Sequence, residues 1–172
     1  MINLIELQNK IHQQNRELGW WDQERPFSTF VCLFHSELSE AMEGDRKGLM
    51  DDHLPEYPMF WVELADFVIR CLDWLGSRGA SEYGLTSDAK IENIDNCLML
   101  ANVHKCVSNC LGDNGEPEDA EFVLSAAVEY CFQYAYYNKF DLHQIILEKV
   151  EYNKHRADHK RENRALAGGK KY

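Results

Sequence analysis

The chain has 172 residues, 45% of them apolar, and a formal net charge of −11. That is enough chain and apolar material for one substantial core, and the negative balance excludes a protein built chiefly to grip duplex nucleic acid, which needs a basic face. A small phosphorylated substrate is not excluded, because acidic clusters recruit divalent cations and those cations bind phosphate oxygens that bare carboxylates repel.

The opening MINLIELQNK lacks the basic segment, apolar run and cleavage site of a secretory signal. No stretch reaches the about 18 consecutive apolar residues of a membrane span, so a cytoplasmic protein with no membrane association is expected. Six cysteines lie inside apolar helical patterns without C-x-x-C spacing, which reads as reduced, packed thiols rather than a zinc site. Four prolines, at positions 26, 55, 58 and 117, punctuate segments of helical periodicity, and strand signals are poor. The fold class is therefore all-α, a bundle of about five to six helices spanning residues 1–157, followed by a basic, glycine-containing tail over 158–172.

In chain order, the first helix is expected over about 2–18, with Ile2, Ile5, Ile11 and Leu18 inward and Gly19 ending it. Trp20 and Trp21 follow in a loop. A second helix starts near Pro26 or Ser28, buries Phe30, Val31, Phe34, Leu38, Ala41 and Met42, and ends near Gly44. After a charged loop, a third runs from Met59 to about Leu75, stopped by Gly76 and Gly79, and a fourth spans about Lys90 to Leu111. Gly112–Gly115 forms a turn. Pro117 and the acidic Glu116, Glu118 and Asp119 suit the first turn of a fifth helix reaching Tyr137, and the last covers Leu142 to His155.

The chemistry concentrates in two helices. In HSELSEAMEGDRKG, Glu37 and Glu40 are three residues apart; in FWVELADFVIR, Glu63 and Asp66 repeat the spacing. Each pair falls on one side of its helix, and two such helices face to face present four carboxylates to one small volume, as metal-binding bundles do. The flanking residues are strongly apolar, and unpaired charges at a core edge are costly. Mg²⁺, with its preference for hard oxygen ligands, accounts for the arrangement, and Mn²⁺ is a reasonable substitute. The competing reading is a pair of amphipathic helices with solvated acids. A di-iron bundle would need Glu-x-x-His pairs, which are missing at the right place.

The runs HSELSEAMEGDRKG, VELADFVIR and EKVEYNKHR together resemble the MazG-like nucleotide pyrophosphohydrolases, relatives of the dimeric all-α dUTPases, over most of the chain from Trp20 onward. The resemblance implies a Mg²⁺-dependent enzyme that cleaves a nucleoside triphosphate, most naturally a dNTP, to the monophosphate and pyrophosphate. It places the metal ligands on Glu37, Glu40, Glu63 and Asp66, with Glu37 or Glu40 taking the proton of the attacking water. It places phosphate contacts on Lys149, Asn153 and Arg156. Gly168, Gly169, Lys170 and Lys171 resemble the family's GGK ending, which makes the tail a segment able to close over the substrate, although ADHKRENRALA separates it from Arg156.

Lys149 and Arg156 could equally complement the negative end of the last helix. Trp20 and Trp21 could place one ring on a nucleobase and the other in the core, or both could simply pack. LFHSELSEAMEGD and ANVHKCVSNCLGD also look alike, with Lys105 and Ser108 where Glu37 and Glu40 align, so a pseudo-duplicated four-helix core is one expectation. Related folds associate through helices, which implies a homo-oligomer. The alternative to an enzyme is a catalytically silent nucleotide-binding or regulatory module of the same fold.

Overall fold

The computed structural model describes residues 3–81, 83 and 94–156. Among them are six helices: α1 (Leu4–Glu17), α2 (Phe27–Lys47), α3 (Met59–Arg78), α4 (Asn96–Asn109), α5 (Ala120–Tyr137) and α6 (Leu142–His155). The all-α expectation is met. Lys170 and the rest of the tail, Ile2 and the start expected for the fourth helix lie outside the described residues.

Apolar side chains occur almost all round α3, which fits a helix enclosed by others. It packs against α1, α2, α5 and α6, while α4 sits against α2 and α5. The buried apolar side chains form one continuous cluster, with Phe34, Leu38, Leu64, Phe67, Leu72, Leu124 and Ile146 fully enclosed. Three helices begin at side-chain caps: Asn3 accepts from the Glu6 N–H, Asp95 from Leu98 and Asp141 from Gln144, each satisfying an otherwise unpaired amide. Asp95 caps α4 at Asn96.

Two helix ends also differ from the expectation, for one reason. Gly44 does not stop α2; it lies inside the helix because a Cβ there would come 2.8 Å from Met59 Cβ and 3.1 Å from the Phe60 backbone nitrogen. Gly76 likewise faces α1, where a Cβ would come 2.7 Å from His12 Cβ. These glycines allow close helix approach, and the actual stops are Gly48 and Gly79, both with positive φ at the C-caps.

At the fifth helix, Glu116 and Pro117 are drawn into a short antiparallel bridge, with Gly112 N–H donating to Glu116 O and Glu118 N–H to Cys110 O. The helix therefore begins at Ala120, after Asp119. Smaller corrections concern single faces. Leu7 and Gln8 join Ile11 on the inner side of α1, with Ile5 and Leu18 only partly buried, and Met42 is exposed. Cys32 and Cys97 are exposed too, so only part of the thiol set is packed.

The α2–α3 seam fixes the distance between the two acidic pairs, so Gly44→Ala tests it directly. Overpacking there is expected to cost about 1–3 kcal/mol, read as a lower midpoint in urea unfolding, instead of the gain that Ala normally gives at an open helical site.

Candidate metal and phosphate site

A cavity of about 240 Å³ opens where α2, α3 and α6 meet the loop after α1. Glu37, Glu40, Glu63, Asp66, Trp20, Lys149, Asn153 and Arg156 all line it. Residues from four separate stretches of sequence are thus brought to one place. Trp21 is the exception: its indole stacks on Phe30 at 5.4 Å and meets His12 edge-on, behind the wall.

Ligand oxygens of Glu37, Glu63 and Asp66 lie within 4.8 Å of one another. Glu37 and Glu63 are buried, whereas Glu40, one turn further along α2, is more exposed. Burial first, then the neighbouring charges of Asp66 and Glu37, pushes the Glu63 carboxyl far above the ordinary carboxylate range. Asp66 is also raised by burial, with Lys149 pulling it back. Glu40 is raised by partial desolvation and then by Glu37.

Two cations are built into this acidic wall. Arg70 Nε donates to Glu37 Oε1 at 2.5 Å. Lys149 Nζ sits 3.0 Å from Asp66 Oδ2 and 4.0 Å from Asp51 Oδ1, with His53 Nδ1 at 3.4 Å. Burial alone would lower the Lys149 ammonium, but Asp66 and Asp51 outweigh it and hold it above its ordinary value. Asp51 is fixed in turn by the backbone N–H groups of His53 and Leu54, so Lys149 ties the α2–α3 loop and α6 to the acidic face of α3.

The donor set fits a hard divalent cation. Three carboxylates converge without soft ligands, and Asn153 Oδ1 is a buried acceptor without a hydrogen-bond partner on the same cavity lining. A buried orphan oxygen calls for a donor such as an ordered water or a ligand group. Glu37, Glu63 and Asp66 could hold the ion, with Glu40 close by.

Several lining residues have no place in the acidic motifs. Arg70 and Asp73 continue the stripe of Glu63 and Asp66 at spacings of four and three, a regularity legible in VELADFVIRCLD. Asp73 is buried and accepts from His12 Nδ1 at 2.8 Å, Asn15 Nδ2 at 2.8 Å and Trp21 Nε1 at 2.9 Å. Its burial still raises the carboxyl above its ordinary value, against the pull of those three donors. Asp51, His53 and Asn15 carried no sequence signal, since each acts through a contact remote in the chain.

Compared with known proteins, the chain matches no family, no curated protein and no solved structure. No helix among the described residues is long and apolar enough to cross a membrane.

Asp73 anchors three donors from α1 and the following loop. Asp73→Ala is expected to cost on the order of 3 kcal/mol, because it leaves its donors without an acceptor in a part-buried setting, and to shift Trp21 fluorescence, both read in one denaturant titration.

Proposed function

We propose that the protein is a Mg²⁺-dependent nucleoside triphosphate pyrophosphohydrolase that converts a dNTP to the monophosphate and pyrophosphate, as part of cytoplasmic nucleotide-pool housekeeping. The observation that carries the reading is the convergence of four carboxylates with Lys149, Arg156 and Arg70 around one cavity. The acids alone would repel a triphosphate, and the bases alone would offer no metal site. Together they match the two charge requirements of phosphoric anhydride cleavage.

Glu37, Glu63 and Asp66 would hold the ion. When bound, Mg²⁺ supplies Lewis acidity, neutralising phosphate charge and making water a competent nucleophile near neutral pH. Glu40 is the better placed general base of its pair, since Glu37 belongs to the tight triad that would hold the ion whereas Glu40 lines the cavity outside it. It would take the proton from the water that attacks phosphorus, while Lys149 and Arg156 stabilise the charge that develops on the departing pyrophosphate.

Trp20 lines the cavity together with Phe30, Leu33 and Phe34, apolar and aromatic surface suited to a base.

The test is pyrophosphate release from a panel of deoxyribonucleoside and ribonucleoside triphosphates, with and without Mg²⁺. Release should require the metal, and Glu63→Gln or Asp66→Asn should lower kcat/KM by about 100-fold or more. Binding without release across the whole panel would point instead to the catalytically silent module. Glu63→Gln also has a signature apart from turnover. By removing a buried carboxylate crowded by like charges, it should raise the metal-free Tm by about 2–4 °C, the shift of ~1 kcal/mol in a chain this size, while abolishing the further rise that Mg²⁺ gives the parent protein.

A further inference from the structure

We propose that Arg70 is an exchangeable counter-ion, neutralising Glu37 in the metal-free site and passing to a phosphate oxyanion in the same cavity once a divalent cation takes over that carboxylate. The inference rests on the metal site proposed above and extends it to a residue outside the acidic and C-terminal motifs.

The two cations in the wall differ in how firmly they are held. Lys149 is 1% exposed and lies between Asp66 and Asp51, so moving it would leave buried Asp51 without its cation. Arg70 has a 30% exposed side chain, and its ion pair is with Glu37. It is the cation that can move.

Its surroundings offer somewhere to go. The bond to Glu37 uses Nε, which leaves the Nη donors of a five-donor group unspent on that carboxylate. The guanidinium carbon lies 5.8 Å from the centre of the Trp20 ring, and both residues line the cavity. A guanidinium resting near an aromatic face keeps a favourable contact while its planar fork is offered to an oxyanion.

Charge decides the direction of exchange. Glu37 is only 4% exposed, so it requires a cation in either state. A divalent ion shared with Glu63 and Asp66 outcompetes a monovalent guanidinium for it. Arg70 then loses its hydrogen-bonded carboxylate and stands beside the ion with only the longer-range fields of Glu40 and Asp66, which favours an incoming polyphosphate. Metal and polyphosphate would therefore bind with positive coupling through one side chain.

The two halves of the exchange predict effects of opposite sign. Mn²⁺ binding, followed by electron paramagnetic resonance without nucleotide, should tighten in Arg70→Gln by about fivefold, because a competing charge of modest strength is gone. Inorganic pyrophosphate binding to the Mn²⁺-saturated protein, measured by calorimetry, should weaken by about tenfold or more, the worth of a charge-assisted hydrogen bond. Arg70→Lys, which keeps the charge without the fork, should bind Mn²⁺ like the parent and recover part of the pyrophosphate affinity.

If both ligands bind more weakly to Arg70→Gln while its Mn²⁺-bound form melts like the parent's, Arg70 merely shapes the site and the exchange is overturned. Tighter Mn²⁺ with unchanged pyrophosphate overturns the phosphate role. Should Arg70→Gln fail to fold, Arg70→Lys decides: pyrophosphate affinity equal to that of Arg70→Met removes the claim of an oxyanion ligand. Neither readout needs turnover. A parent protein that binds Mn²⁺ and pyrophosphate but hydrolyses nothing would sink the proposed reaction and leave this inference standing, whereas one that binds no Mn²⁺ overturns both.

Discussion

Placing a stripe of acids on the most enclosed helix is the constraint to which the rest of the molecule answers. On α3, Glu63, Asp66 and Asp73 share one face with Arg70, and buried carboxylates are tolerated only when something compensates their lost hydration. Two are compensated and one is not. Asp73 draws three side-chain donors from α1 and the following loop and Asp66 draws an ammonium from α6, whereas Glu63, desolvated among like charges, is pushed up to about 9, toward its uncharged form. The helices around α3 are thus positioned by the polar demands of one face as well as by apolar burial on the others.

The close α2–α3 approach follows from the same constraint. Glu37 can share a ligand volume with Glu63 and Asp66 only if the two helices approach closely, and Gly44 permits that where a Cβ would strike Met59. At the other end of α3, Gly76 brings α1 near enough for His12 and Asn15 to reach Asp73. Small residues at these crossings do for the polar face what apolar interdigitation does for the core.

Much of this was legible in the sequence, and the failures are instructive. Helical periodicity placed all six helices, and the ExxE and ExxD spacings placed Glu37, Glu40, Glu63 and Asp66 on one cavity, because local spacing translates directly into a shared helix face. Gly44 and Gly76 carry the same local signal as the true stops Gly48 and Gly79, since the residue that ends helices is also the one that lets them touch, and only the partner helix distinguishes the two uses. Asp119 was expected inside α5 on dipole grounds, but the backbone bonds of the Gly112–Gly115 turn claimed its neighbours first. Asp51 was beyond reach of any spacing argument, as its role depends on a lysine 98 positions away, Lys149.

The charges along the cavity argue for a direction as well as a composition. Asp73 lies seven residues, or about 10 Å of helix rise, from Asp66, and between them stands Arg70. At the Asp66 end the acids outnumber their built-in cations, so that end attracts positive charge. At the Asp73 end the carboxylate already accepts from His12, Asn15 and Trp21, so that end makes no comparable demand for a further cation. On the proposed function, the ion and the phosphates would occupy the Asp66 end, where Arg70 and Lys149 also line the cavity.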